Sequence, residues 1–177
     1  MLSCLLLPVL LAALTCAQEQ EEKEAAPGEF PAITPVTAEE LLQEIELARG
    51  DVVLLNFWAT WCLPCVAELP DLLKVRNELG DRGLRLILVS CDFPEQQEAA
   101  RKLLAKQGVD FQTWLKNGKD DPFISAVDDE WEGTLPATFV YDRSGRKRHF
   151  HQGKATYEDL RGLVLDVMDG SRHESGN

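Results

Sequence analysis

The chain has 177 residues, enough for one domain with a real core, and its hydrophobic (45%) and charged (27%) fractions are those of a water-soluble globular protein. A net charge of −12 argues against nucleic acid and anionic membrane surfaces as partners.

Residues 1–17, MLSCLLLPVLLAALTCA, contain no charged side chain. The apolar run Leu5 to Leu14 is too short to span a bilayer comfortably and suits the core of a signal peptide. The small residues before Gln18 predict cleavage after Ala17, with the amino terminus alone supplying the usual positive charge; the alternative is a buried apolar segment of the mature fold. Leu14-Thr15-Cys16 also resembles a bacterial lipoprotein box, in which Cys16 would be lipidated and become the first mature residue. Thr15 departs from that pattern, which takes Gly, Ala or Ser there. Either route predicts an extracytoplasmic protein, secreted or lipid-anchored, in a compartment where disulfides persist. Residues 18–36 are acidic and Pro-containing, and read as a flexible tether or as a tail for a basic partner.

Order is expected from Thr37 to residue 170, with a loose tail at 171–177. Thr37 followed by Glu40 fits a capping box, and Leu41, Ile45 and Ala48 recur at helical spacing. Val52 to Trp58 is a nearly continuous apolar run, the pattern of a strand covered on both faces. A helix over 63–79, kinked at Pro70, leads to a second buried strand at Leu84 to Ser90. Residues 94–107 read as an amphipathic helix between Pro94 and Gly108. This β-α-β-α order predicts parallel strands with right-handed crossovers. A third strand is expected at Phe111 to Leu115 and a short helix at 122–131. Ala137 to Tyr141 and Arg146 to His151 flank the turn-forming Asp142-Arg143-Ser144-Gly145 and read as an antiparallel hairpin. A final helix capped by Thr156, with an apolar stripe from Leu160 to Met168, is expected to stop at Gly170.

Loss of a leader with Cys4 and Cys16 leaves Cys62, Cys65 and Cys91, an odd set that makes a poor disulfide framework. Zinc would need two further ligands, yet no second Cys-x-x-Cys exists and His149, His151 and His173 lie far along the chain. A staple closing so short a loop would stabilise little. Electron transfer survives this elimination. Cys62 falls where a strand ends and a helix begins, so unpaired N–H groups and the helix dipole favour its thiolate. Pro64 sits in the first turn, where its missing N–H costs nothing. Cys62 would attack a partner disulfide, and Cys65, one turn along and more buried, would resolve the mixed disulfide.

The segment Phe57-Trp58-Ala59-x-Trp61-Cys62-x-Pro64-Cys65 resembles the active-site segment of the thioredoxin superfamily, and Thr134-Leu135-Pro136-Ala137-Thr138-Phe139 resembles its cis-proline loop. Asn56 to Pro70 is most similar to the extracytoplasmic TlpA- and ResA-like thiol:disulfide oxidoreductases, although the group's N-terminal β-hairpin is not evident and the Thr37 helix stands in its place. The resemblance implies a thioredoxin-like α/β fold: a central mixed sheet flanked by helices, with an extra helix and strand between the cysteine helix and the cis-proline loop. It also implies a Cys62–Cys65 redox disulfide, a cis Pro136, and client positioning by Trp61, Pro64, Leu135 and Pro136. Glu68, three residues after Cys65 on the same helix face, would tune thiol ionisation; the alternative is an exposed helix carboxylate. Asn56 stands where thioredoxin has a buried Asp and cannot titrate. Strong oxidants of the superfamily carry His between the cysteines; Leu63-Pro64 leans toward a reductant of client disulfides, cytochrome c maturation being one such role. No flavin or nicotinamide fingerprint is present, so no cofactor is expected and a membrane-embedded thiol partner must re-reduce the pair.

Cys91 reads as a buried inert thiol. His149 and His151 share a strand face and could form a metal pair. Rival readings of the whole are a thiol peroxidase of related fold, whose Pro-x-x-x-Thr-x-x-Cys setting is absent, and a copper- or partner-binding module, whose usual Cys-x-x-x-Cys is one residue longer.

Overall fold

The computed structural model describes residues 31–174; the expected signal peptide, Cys16 and most of the tether lie outside the described residues. One six-stranded sheet forms the centre. Its strands are β1 (Ile33–Val36), β2 (Val52–Trp58), β3 (Leu84–Ser90), β4 (Thr113–Lys116), β5 (Ala137–Tyr141) and β6 (Lys147–Gln152), and their spatial order is β1-β4-β3-β2-β5-β6. β1 to β4 run parallel to one another, and β5 and β6 are antiparallel, which makes the sheet mixed. The helices are α1 (Ala38–Leu47), α2 (Leu63–Leu79), α3 (Gln97–Lys106), α4 (Asp120–Val127) and α5 (Tyr157–Glu174).

The alternation of β2 sorts the core. Val52, Leu54 and Trp58 face a cluster that includes Leu69 and Leu72 of α2, Leu104 of α3 and Val164 of α5. Val53, Leu55 and Phe57 face the other side, with Leu41 and Ile45 of α1 and Phe123 of α4. A strand buried on both faces has no polar side, which is why β2 reads as an unbroken apolar run. The exception is Asn56, whose parity with Leu54 and Trp58 points it toward α2.

Several boundaries differ from expectation. Order begins earlier: residues 33–36 form β1 and extend the sheet by pairing with β4. Its burial alternates only at its ends, Ile33 and Val36, too short a pattern to stand out in an acidic run. Pro35 is tolerated because β1 is an edge strand. α2 keeps its expected bounds, Leu63–Leu79, with Pro70 inside it. α4 ends at Val127 rather than 131, because Trp131 turns inward to stack on Phe57 at 4.4 Å and donates its indole N–H to the Thr134 carbonyl. α5 passes Gly170 and reaches Glu174, each of its two interior glycines, Gly162 and Gly170, being a modest cost of about 1 kcal/mol. The Thr37–Glu40 capping box forms as expected, and Thr156 exchanges side-chain and backbone bonds with Asp159 at the start of α5.

Candidate active site

The site forms at the end of the sheet where β2 and β3 finish and β5 begins. β2 ends at Trp58 and passes through Ala59-Thr60-Trp61 into α2, which starts at Leu63 with Cys62 as its N-cap. The Cys65 N–H points at Cys62 Sγ (3.3 Å) and the Val66 N–H bonds the Cys62 carbonyl (3.0 Å), so the helix terminus closes on the cysteine. Cys62 and Cys65 are joined as a disulfide, with their Cα atoms 5.2 Å apart. Both are buried, Cys65 the more deeply. The Leu135–Pro136 peptide is cis. Pairing of Phe57 with Ala137 sets Pro136 beside the exit of β2, at the same end of the sheet as Cys62.

Glu68 is not the exposed helix carboxylate of the alternative reading: none of its surface reaches solvent. Its Oε1 accepts from the Asn56 amide (2.9 Å) and its Oε2 from the Ala155 N–H (2.7 Å). Asn56 gives its other amide hydrogen to Thr138 Oγ1 (2.9 Å), linking α2 through β2 to β5. Burial pushes the Glu68 carboxyl up to about 7, against the pull of the Ala155 and Asn56 donors and the Lys154 charge. Glu68 lies three residues along α2 from Cys65, on about the same helix face. A carboxyl balanced near neutrality can give or take a proton at that position.

One buried carboxylate escaped the sequence reading. Asp92, just past β3, accepts from the Thr60 N–H at both oxygens (3.1 and 3.0 Å), from the Thr60 hydroxyl (2.5 Å) and from the Ser90 hydroxyl (2.7 Å). It pins the turn that carries Trp61 and Cys62 to the end of β3. The available signal was its position after a largely apolar strand, where sheets of this kind present functional side chains.

The surface around the disulfide is apolar. Trp61, Leu63 and Phe93 are 57%, 79% and 67% exposed, and they are three of the five exposed large hydrophobic residues among those described. A cavity of about 510 Å³ opens beside them, lined by Trp61, Phe93, Pro94, Ile124, Trp131 and Leu135, with Lys116 and Lys119 among its polar residues. Trp61 and Leu135 are the chain neighbours of Cys62 and Pro136, so the cavity runs beside both motifs. Cys91 is half-buried and unpaired with another cysteine, and its thiol is pushed up to about 12 by burial. His149 is drawn to Asp166 of α5 (2.9 Å), and His151 lies opposite Thr138 in the β5–β6 register.

The AhpC/TSA family matches residues 29–150. The chain belongs to that family. Within the AhpC/TSA family the relatives are thiol chemists. The thiol-disulfide oxidoreductase ResA of Bacillus thuringiensis is 27% identical over 124 residues, 70% of this chain and 68% of that protein. A DsbE homolog of Paracoccus denitrificans, a thiol:disulfide interchange protein, is 32% identical over 124 residues, 70% of this chain and 63% of that protein. The fold is shared with a thiol:disulfide interchange protein of Chlorobium tepidum, with a TM-score of 0.60 at 23% identity, covering 78% of this chain and 97% of that one. The chain is a thioredoxin-like thiol:disulfide oxidoreductase.

Proposed function

We propose that the chain is an exported reductant that uses the Cys62–Cys65 dithiol to open client disulfides. The observation that carries this reading is the cysteine pair at the α2 terminus with Glu68 buried one turn behind it. In the reduced enzyme the helix terminus favours the Cys62 thiolate. Cys62 Sγ attacks one client sulfur, a mixed disulfide forms, and the second client sulfur leaves as a thiolate that takes a proton. Glu68 accepts the Cys65 proton. Cys65 Sγ then attacks Cys62 Sγ, the mixed disulfide breaks, and the client's first sulfur leaves as a thiolate and is protonated. Two electrons pass to the client and the enzyme ends as the Cys62–Cys65 disulfide.

Client backbone would lie along cis-Pro136 and Leu135, with Trp61 and Pro64 shaping the approach to Cys62. The exposed apolar rim of Trp61, Leu63 and Phe93 supports a client bound through apolar side chains. The reducing direction is supported by Leu63-Pro64 between the cysteines, which offers no donor to hold a thiolate. A membrane thiol partner would then restore the dithiol, with export through the apolar leader or a Cys16 lipid anchor.

The test is trapping. A Cys65→Ser variant should accumulate a mixed disulfide with a peptide bearing an oxidised Cys-x-x-Cys-His sequence, the haem-attachment pattern of cytochromes c, while the parent releases it as a dithiol. No adduct with that peptide, against ready adducts with other disulfides, removes the cytochrome role. No adduct with any disulfide removes the reductant.

A further inference from the structure

The segment joining β6 to α5 belongs to neither motif, yet it is bound to both. The Gly153 N–H donates to the Pro136 carbonyl at 2.8 Å, and two residues later the Ala155 N–H donates to Glu68 Oε2 at 2.7 Å. Gly153 has φ of +96°, a backbone conformation open to glycine and strained for other residues, and Ala155 is fully buried. The segment is therefore a short strap fixed at each end to a part of the reaction site. Lys154 sits between the two anchors, and its side chain is exposed.

The surroundings of Glu68 make that position matter. β2 contributes the Asn56 amide, and through it β5 contributes the Thr138 hydroxyl, neither of which titrates in the working range. α2 contributes Asp71, whose charge opposes ionisation of Glu68, together with the two thiols once the pair is reduced. At the start of α5, Asp159 is held low by its bonds from the Thr156 N–H and hydroxyl and, more weakly, by the charge of His151 on β6. The strap supplies the cation, Lys154, whose charge favours the ionised carboxylate.

We propose that Lys154 is a positioning residue of the thiol–disulfide reaction, carried on a strap anchored to Pro136 and Glu68 so that its charge keeps Glu68 able to accept the Cys65 proton. This rests on Glu68 being that acceptor. A carboxyl that is protonated cannot take a second proton, so the ionised fraction at neutral pH limits how fast Cys65 becomes a nucleophile. The two anchors hold the Lys154 backbone beside Ala155, whose N–H is bonded to Glu68, so the charge is attached one residue from that contact.

The experiment is a charge series at Lys154, read as the pH profile of client-peptide reduction. Lys154→Gln should move the Glu68-linked midpoint upward by roughly 0.3 pH unit and Lys154→Glu by about twice that, modest because an exposed charge is screened. Lys154→Arg should restore the parent midpoint. The shifts should shrink at high salt, and thermal melts of all three variants should match the parent, since the side chain is exposed. Glu68→Gln, measured alongside, should remove the transition altogether. If Glu68→Gln removes it while Lys154→Gln and Lys154→Glu overlay the parent, the strap holds shape only and the inference fails with the acid assignment intact. If Glu68→Gln leaves the transition in place, the acid assignment fails and takes the Lys154 role with it.

Discussion

Glu68 and Asp142 are both carboxylates removed from solvent, one behind the cysteine pair and one at the far end of β5 in the hairpin turn. Burial pushes both upward, yet Glu68 comes to rest at about 7 and Asp142 at about 2. The partners make the difference. Asp142 accepts from the Ser144 hydroxyl and N–H, the Arg146 N–H, and the Arg146 and Arg148 guanidinium groups. Glu68 has two uncharged donors. Five donors, two of them cationic, fix an anion as a structural pin. Two neutral donors hold a carboxyl in place without deciding its charge, which is what proton transfer requires.

The largest effect should come from Glu68→Gln. The folded value of Glu68, about 7, lies above its ordinary 4.5, so its relative stabilisation is complete below 4.5 and is lost as pH rises through 7. For the oxidised parent this amounts to about 3 kcal/mol of declining stability across that window. The variant has no such slope. Gln also sets an amide N–H against one of the two donors, so at pH 5 it should be the less stable protein. Urea unfolding at steps from pH 5 to 8 measures both. A parent curve that stays flat would falsify the poised-carboxyl half of the comparison.

Asp142→Asn should cost about 2 kcal/mol at neutral pH. Its folded value lies below its ordinary 3.8, so that stabilisation is present above 3.8 and disappears as pH falls through 2. Between pH 5 and 8 the variant curve should run parallel to the parent, displaced downward, because Asp142 is ionised throughout. A change of slope in that interval would mean that the two carboxylates are coupled.

The same contrast explains what could be read in advance. The apolar run of β2, the capping box at Thr37, the Asp142–Gly145 turn and the two motifs are local patterns, and each appears where its residues indicated. β1 has only two buried side chains to announce it. The end of α4 depends on Trp131 finding Phe57, a contact made across the sequence. At the site, the cysteines were legible from their spacing at the start of a helix, and Pro136 from the resemblance of its segment to a cis-proline loop. The burial of Glu68 was not, since helix spacing gives a face but not what covers it: that depends on Asn56 of β2 and on Ala155 beyond β6. Asp92 was missed for the same reason, its partner Thr60 being supplied by the fold.

Thr138→Val tests how far the Glu68 arrangement extends. It removes the acceptor of one Asn56 N–H and leaves that buried donor unpaired, at a cost of about 1 kcal/mol. The Asn56 bond to Glu68 remains, so the loss should be uniform from pH 5 to 8. If the slope changes as well, β5 takes part in setting the charge of Glu68, and the pair of neutral donors is not a sufficient account.

The smallest effect should be that of Cys91→Ala, which sharpens the comparison from a third side. Cys91 lies at the active-site end of the sheet, and its amide bonds the carbonyl of Trp58, the last residue of β2. Burial nevertheless pushes its thiol up to about 12; the Lys116 charge pulls it down, and Asp120 and Asp92 push it further up. Without donors of the kind that hold Asp142 or Glu68, desolvation decides the outcome and the thiol stays neutral at any pH where the enzyme works. A neutral thiol is not a nucleophile, whereas Cys62 has a helix terminus to favour its thiolate. Turnover of Cys91→Ala should therefore stay within about two-fold of the parent, below roughly 0.5 kcal/mol in the barrier. In the oxidised parent at pH 8, a thiol reagent should find Cys91 unreactive until the protein is unfolded. A tenfold fall in turnover, or rapid labelling of the folded protein, would make Cys91 a third redox cysteine, and proximity to the disulfide would then count for more than its lack of donors.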